Sequence, residues 1–301
     1  MMKALLVLED GRVFPCRSFT GRGETSGEVV FNTAMSGYQE VLTDPSYRGQ
    51  MVTMTYPLIG NYGINLEDVE SARIQVAAFI VKEYQDFPSN FRATATLAEY
   101  LTAQQILGVD DLDTRALTRH IRNTGAMRAI VSTEDLDPAS LQAKARAIAP
   151  MAGQDLAQIV TTREPYFWRS DRPVFETGGA AALNRQVWRN RGQQCAVVAF
   201  DFGIKYNILR CLEAAGCETL VVPADTPADT VEVICDWVAG DPDGVIPESD
   251  ETNNDLLEPF PRPDLAVGDI WWTPEFPQQG EPVTFYAQVD NLEAGGTNLP
   301  F

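Results

Sequence analysis

Few side chains in this chain could carry covalent chemistry. Its 301 residues include five cysteines (Cys16, Cys195, Cys211, Cys217 and Cys235) and a single histidine, His120. A cysteine thiolate beside a histidine is a strong nucleophile for acyl carbons, because the neighbouring cation lowers the thiol pKa. None of the five cysteines lies in a Gly-x-Cys-x-Gly run, the sharp turn that would expose such a nucleophile. Cys195 opens a predicted strand. Cys211 and Cys217 flank a predicted helix and its stop, where small buried thiols are expected. Cys235, in VEVICDW, has no glycine neighbour. The cysteines are odd in number, scattered and without C-x-x-C spacing, which argues against a disulfide framework and a zinc site. With one histidine, a His-rich metal site is impossible. His120 falls on a predicted helix and is expected to be a packed or surface residue. Asp44-Pro45-Ser46-Tyr47 offers a hydroxyl on a Pro-Ser turn. Asp201-Phe202-Gly203 lacks the Gly-rich loop, strand lysine and HRD segment of a kinase, so its glycine is expected to permit a tight turn. Asp243, Glu248, Asp250 and Asp255 are oxygen donors of the kind calcium takes, but their spacing does not match an EF-hand loop. A solvated acidic connection is expected there.

The elements that must position these groups follow from periodicity and punctuation. Lys3 to Leu8 reads as a strand, with a turn at Asp10-Gly11. Glu28 to Phe31, Met51 to Tyr56 and Ile74 to Glu83 read as further strands, and Thr96 to Gln104 as a short helix. Asp113-Thr114 caps a helix in which Leu117, His120, Ile121 and Thr124 recur at helical spacing before Gly125. Pro138 to Ala149 is a helix with proline in its first turn. Residues 151–191 read as a linker whose aromatics, Tyr166, Phe167 and Trp168, pack on a neighbour. Ala196 to Phe200, Ile204 to Ala215 and Thr219 to Val222 then form a strand–helix–strand crossover. Its helix is expected to bury Ile204, Ile208, Leu212 and Ala215. Asp264 to Trp271 and Val283 to Val289 alternate apolar and polar residues, as half-buried antiparallel strands do.

Charge divides the chain. The net charge is −19, yet residues 1–223 carry 25 acids and 22 bases, whereas residues 224–301 carry 17 acids and one base, Arg262. No basic patch is present to displace phosphate counterions, which argues against nucleic-acid binding. No apolar run approaches the roughly 18 residues that span a bilayer, and the opening MMKALLVLED is too short for a secretory core. A cytoplasmic location away from membranes is the expectation.

The run VVFNTAMSGYQEVLTDPSYRGQMVTMTYPLIGNYGIN, Val29 to Asn65, resembles the amino-terminal domain of the small subunit of glutamine-hydrolysing carbamoyl phosphate synthetase. ALLVLEDG, DLDTRALTRHIRNTGAM and FDFGIKYNILRCLEAAGCETLVVPADT fit the same family, in order, over about residues 1–228. The resemblance implies a small subunit that hydrolyses glutamine through a cysteine, histidine and glutamate. The ammonia then passes to a large partner subunit that uses ATP and magnesium to make carbamoyl phosphate for arginine and pyrimidine supply. No cofactor is implied for this chain itself. The one family site residue that carries over is Ser46, whose counterpart reaches across a domain interface to contact the bound glutamine. The elbow cysteine and the later His-x-Glu pair have no counterpart in the 301 residues. After Pro242-Asp243-Gly244-Val245 the family's strand and Gly-Pro-Gly-Asp-Pro loop are missing.

VIPESDETNN and PDLAVGDIWWTPEFPQQGEPVTFYAQVDNLEAGGT resemble parts of bacterial cell-adhesion-related repeats, which are immunoglobulin-like sandwiches. The implied fold class is α/β with three pieces: a mixed α/β amino-terminal domain, a truncated doubly wound glutaminase-type unit and an incomplete antiparallel β-sandwich piece. The implied domains are 1–150, a linker at 151–192, the glutaminase start at 193–228 and the adhesion-type piece at 229–301. Three readings follow: a synthetase small subunit that is inactive alone, an extracellular binding module, or an artefactual fusion of two coding sequences. A lone crossover cannot cover both faces of its own sheet, so the part beyond about residue 150 is expected to pack poorly.

Overall fold

The computed structural model describes residues 2–175, 195–227, 265–273 and 284–291; for residues 195, 196, 265–273 and 284–291 it describes the backbone alone. Two compact units separate at Ala239 and Gly240.

The first unit begins with nine strands. Seven of them, β1 (Met2–Leu8), β2 (Val13–Ser18), β3 (Glu24–Asn32), β4 (Gln50–Met54), β6 (Ala78–Ile80), β8 (Leu107–Asp110) and β9 (Met127–Ser132), close into a barrel of order β1-β2-β8-β6-β4-β3-β9. Closure was not among the expectations from sequence. It follows from β9, which pairs antiparallel with both β1 and β3 and so leaves no free edge. Side chains alternate across the barrel wall. Leu6 and Leu8 of β1, Met51 of β4 and Ile80 of β6 face one cluster, which also takes Leu117 and Ile121 of α3 (Thr114–Thr124). Val52, Met54 and Phe79 face the other cluster, beside Leu97 and Leu101 of α2 (Leu97–Ala103) and Tyr38 and Leu42 of α1 (Tyr38–Thr43). Because both wall faces are buried, these strands read as continuous apolar runs. The Ile74 to Glu83 run is strand only over β6 and at its last residue, where β7 (Glu83–Tyr84) begins; β7 pairs in parallel with β5 (Leu58–Ile59) in a separate small sheet. Thr96 closes a capping box with Glu99 on α2, and Asp113 caps α3. Helix α4 (Pro138–Ala147) lays Leu141 and Ala145 on Val7 and Ile130 outside the barrel.

A second sheet follows the short helix α5 (Ala157–Val160), with order β11-β10-β13-β12. Strands β12 (Cys195–Asp201) and β13 (Cys217–Pro223) are parallel and joined by helix α6 (Tyr206–Ala214), as the crossover pattern predicts. Tyr166, Phe167 and Trp168 do more than pack on a neighbour. They form β10 (Tyr166–Arg169), which pairs antiparallel with β13 and with β11 (Arg172–Val174). The sheet is therefore mixed rather than doubly wound. The expectation of poor packing fails for this region. Phe167, Leu220 and Val222 are buried on one face, and Trp168, Val221 and Leu209 on the other. The helix also differs from its sequence reading: it starts at Tyr206, Leu209 is the fully buried position, and Ile208 is exposed.

In the second unit, β14 (Leu265–Thr273) and β15 (Thr284–Asn291) pair antiparallel, with an irregularity between Val267 and Ile270. This matches the alternating pattern in the sequence. The acidic stretch from Asp243 to Asp255 and Cys235 lie outside the described residues.

Candidate functional site

Ser46 is the exposed residue of a 3-10 turn, Pro45–Tyr47, whose proline is buried. Proline presets the backbone, and the Asp44 carboxylate accepts the Ser46 amide at 2.9 Å, so the turn is held from inside. Asn32 Nδ2 donates to Tyr47 Oη at 3.0 Å and pins the far side. The turn faces the end of β12. There Asp201, buried at the strand's carboxyl end, accepts the amides of Gly203 and Ile204 at 2.9 Å and that of Thr162 at 2.7 Å. Gly203 adopts φ +97°, as its predicted turn role requires. A methyl added to it would stand 2.9 Å from Pro45 Cβ, so the two turns touch. Lys205 Nζ lies 3.5 Å from Asp44 Oδ2 across the same seam.

Helix α6 has no capping side chain of its own, because its N-cap position is Lys205. The barrel lobe supplies the cap. Glu70 is buried, and its carbonyl accepts the Tyr206 amide at 3.0 Å while its carboxylate accepts the Asn207 amide at 2.8 Å. The Glu70 carbonyl and carboxylate thus satisfy two of the helix's orphan N–H groups, and the carboxylate's charge meets the positive end of the dipole. One turn on, Arg210 reaches back to the carbonyls of Glu67 and Val69 at 2.9 and 3.0 Å. Sequence reasoning missed Glu70; the signal was a helix start preceded by lysine instead of Ser, Thr, Asp or Asn.

A cavity of about 860 Å³ opens beside these turns. The barrel lobe contributes Pro45, Arg48 and Arg73, and the carboxyl ends of β12 and β13 contribute Asp201 and Pro223. Ligands of open α/β sheets bind outside the carboxyl ends of their strands, so the position suits a small polar molecule. Burial, and after it the Arg73 charge, holds the Arg48 guanidinium below the usual arginine range. Arg73 donates to the carbonyl of Ile159 at 3.1 Å.

The described sulfurs do not line this cavity. Cys16 is buried in β2, and burial pushes its thiol up to about 12. Cys217 is half-buried. Cys211 is exposed, contrary to its reading as a buried thiol, because only one face of α6 meets the sheet. Cys195 opens β12 as predicted. His120 lies on α3, away from the seam, with Nε2 2.7 Å from Asp10 Oδ2. Among the described residues no group of three metal-ligating side chains converges, and no helix is long and apolar enough to cross a membrane.

Residues 6–131 match the family model of the carbamoyl-phosphate synthase small chain, CPSase domain. The chain is 55% identical over 245 residues to a carbamoyl phosphate synthase small chain from Syntrophotalea carbinolica, a match that covers 81% of this chain and 61% of the relative. It is 52% identical over 236 residues to the one from Nitratidesulfovibrio vulgaris, covering 77% and 61%. It is 47% identical over 275 residues to the one from Solidesulfovibrio magneticus, covering 89% and 71%. The chain thus spans about three fifths of the length of the first two relatives. The third match reaches beyond anything residues 1–228 could supply. The adhesion-type resemblance of residues 230–301 receives no support from these comparisons. A barrel lobe locked onto a parallel crossover, with a match of this identity across both, leaves one assignment: the chain belongs to the carbamoyl phosphate synthase small-chain family.

Proposed function

We propose that the chain serves as a cytoplasmic small subunit of carbamoyl phosphate synthetase, docked on a large subunit that uses ATP and magnesium. In this reading glutamine is the family substrate, and the product is carbamoyl phosphate for arginine and pyrimidine synthesis. The observation that carries it is the seam. The Pro45–Tyr47 turn abuts the Asp201–Gly203 turn at the carboxyl ends of two parallel strands, and Pro45 and Asp201 both line the cavity, which supports a role for the neighbouring Ser46 hydroxyl toward a ligand. A hydroxyl both donates and accepts hydrogen bonds, which suits the polar end of an amino acid. The chemistry of amide cleavage needs a thiolate on a sharp elbow, and the 301 residues contain no Gly-x-Cys-x-Gly run. On this reading the contribution of these residues is docking and the ligand-facing wall.

Co-purification with a large subunit from a related bacterium, paired with a glutaminase assay on the isolated chain, tests this. A stable complex and no glutamine turnover are expected. Failure to bind, or thioester formation on any of the five cysteines, contradicts it.

A further inference from the structure

The half-buried arginines among the described residues are Arg48, Arg92, Arg128, Arg169 and Arg210. All but one meet a carboxylate: Arg92 pairs with Asp68, Arg128 with Glu9, Arg169 with Glu218 and Arg210 with Asp171. Arg48 is the exception. Its amide donates to the Pro45 carbonyl at 3.0 Å, but its guanidinium has neither a hydrogen-bond nor an ion-pair partner among the described residues. Taking a guanidinium out of water is costly unless an anion replaces the lost solvation. Here a second cation adds to the cost, because Arg73 stands close enough to help burial hold Arg48 below the usual arginine range.

Both side chains line the cavity of about 860 Å³, and Arg163 lines it with them. Arg73 gives one donor to the Ile159 carbonyl at 3.1 Å, which fixes its direction, and neither Arg73 nor Arg163 has a carboxylate partner among the described residues. The carboxylates on the lining are Asp201 and Asp225. Asp201 is already taken by the amides of Thr162, Gly203 and Ile204, and Asp225 is exposed just past β13. Tyr166 also faces the cavity, and burial, then the Asp201 charge, pushes its phenol up, so it stays an O–H donor. The cavity thus holds forked cationic donors with no counter-charge on them. A phosphate monoester carries about 1.5 to 2 negative charges at neutral pH and three acceptor oxygens, which matches two guanidinium forks. A carboxylate brings one charge, and a zwitterionic amino acid brings no net charge. The space far exceeds one phosphate group, and Tyr166 and Phe175, with ring centroids 5.5 Å apart, offer an aromatic wall to the body of an ester.

We propose that Arg48 and Arg73, assisted by Arg163, form a binding site for the phosphate group of a small phosphomonoester. Ser46 is not on the cavity lining, and the inference needs only the fold, so it stands apart from the small-subunit reading. Its test is a calorimetric titration of the full chain with inorganic phosphate, succinate and chloride at matched ionic strength. The variants are Arg48→Gln/Arg73→Gln and, as a control of equal charge, Arg115→Gln/Arg119→Gln, which removes two exposed arginines of α3. Circular dichroism checks that both fold. Phosphate should bind the unaltered chain and the control alike, and bind the cavity variant at least about 10-fold more weakly. In the unaltered chain phosphate should also shift the amide resonances of residues 48 and 73 and leave those of α3 in place, a readout that needs no variant. Binding no stronger than that of chloride, an equal loss in the control, or shifts confined to other regions would refute the site. Tighter binding of succinate than of phosphate would give the cavity to an organic acid and refute the phosphate assignment.

Discussion

Replacing Glu70 by alanine should loosen the seam at one identifiable amide. The change removes the carboxylate that accepts the Asn207 amide at 2.8 Å, and leaves the backbone bond from Tyr206 to the Glu70 carbonyl intact. Arg210 also loses a carboxylate 3.8 Å away but keeps the carbonyls of Glu67 and Val69. Loss of a helix cap costs about 0.5–2 kcal/mol, and a buried unpaired amide about 1–3 kcal/mol. These describe the same lost bond, so they do not add, and about 2 kcal/mol is the working figure. That energy corresponds to roughly 30-fold in a local opening equilibrium. Hydrogen exchange read amide by amide should show Asn207 exchanging about 30-fold faster, with the barrel amides of β4 unchanged. Glu70→Gln keeps an acceptor and loses only the charge at the helix terminus, worth about 0.3–1 kcal/mol, so its effect should be several-fold smaller. Trp168 packs on Tyr206 with ring centroids 4.8 Å apart, so its fluorescence offers a second readout. Unchanged exchange at Asn207, or an equal rise throughout the barrel, would refute the cap across the seam.

Other outcomes follow from the same geometry. Gly203→Ala should destabilise the seam by about 1–3 kcal/mol, because the added methyl meets Pro45 and the backbone is left-handed there; a thermal melt that does not move would contradict this. Alkylation at pH 8 mapped by mass spectrometry should label Cys211 in the native chain and spare Cys16, whose thiol is buried and held up to about 12; labelling of Cys16 before unfolding would count against it. The hydrogen bond from Ser140, the Asp137 amide and Lys144 together lower the Asp135 carboxyl to about 2. Its stabilising effect should therefore be complete above about pH 4, the ordinary aspartate range, and be lost as pH falls through about 2. The stabilities of the native chain and Asp135→Asn should converge on acidification, and a gap that widens would reverse the sign.

The fold was legible where local signals and tertiary demands agree. The α3 cap at Asp113, the Gly125 stop, the short helix that begins after Thr96 and the β12–α6–β13 crossover all stand close to where periodicity puts them. Barrel closure was illegible because it depends on which strands pair, and β9 joins β3 and β1 across about a hundred residues. Residues 166–169 read as linker because their polar, Arg-rich flanks hide a strand whose partner, β13, lies some fifty residues on. At the site, the Ser46 turn followed from the Asp-Pro-Ser-Tyr run, whereas Glu70 serves a helix in the other lobe and carries no local signature of that role. Cys211 escaped because a small thiol was expected to be buried, whereas only the Leu209 and Leu212 face of the helix meets the sheet and Cys211 lies off it.

The most direct test of the account is the nitrogen source that a reconstituted enzyme accepts. The full chain is combined with a large subunit, ATP, magnesium and bicarbonate, and carbamoyl phosphate is measured with ammonium or with glutamine. The account predicts synthesis from ammonium in a complex that retains the chain, and none from glutamine. Glutamine-dependent synthesis at a rate comparable to that with ammonium would contradict it.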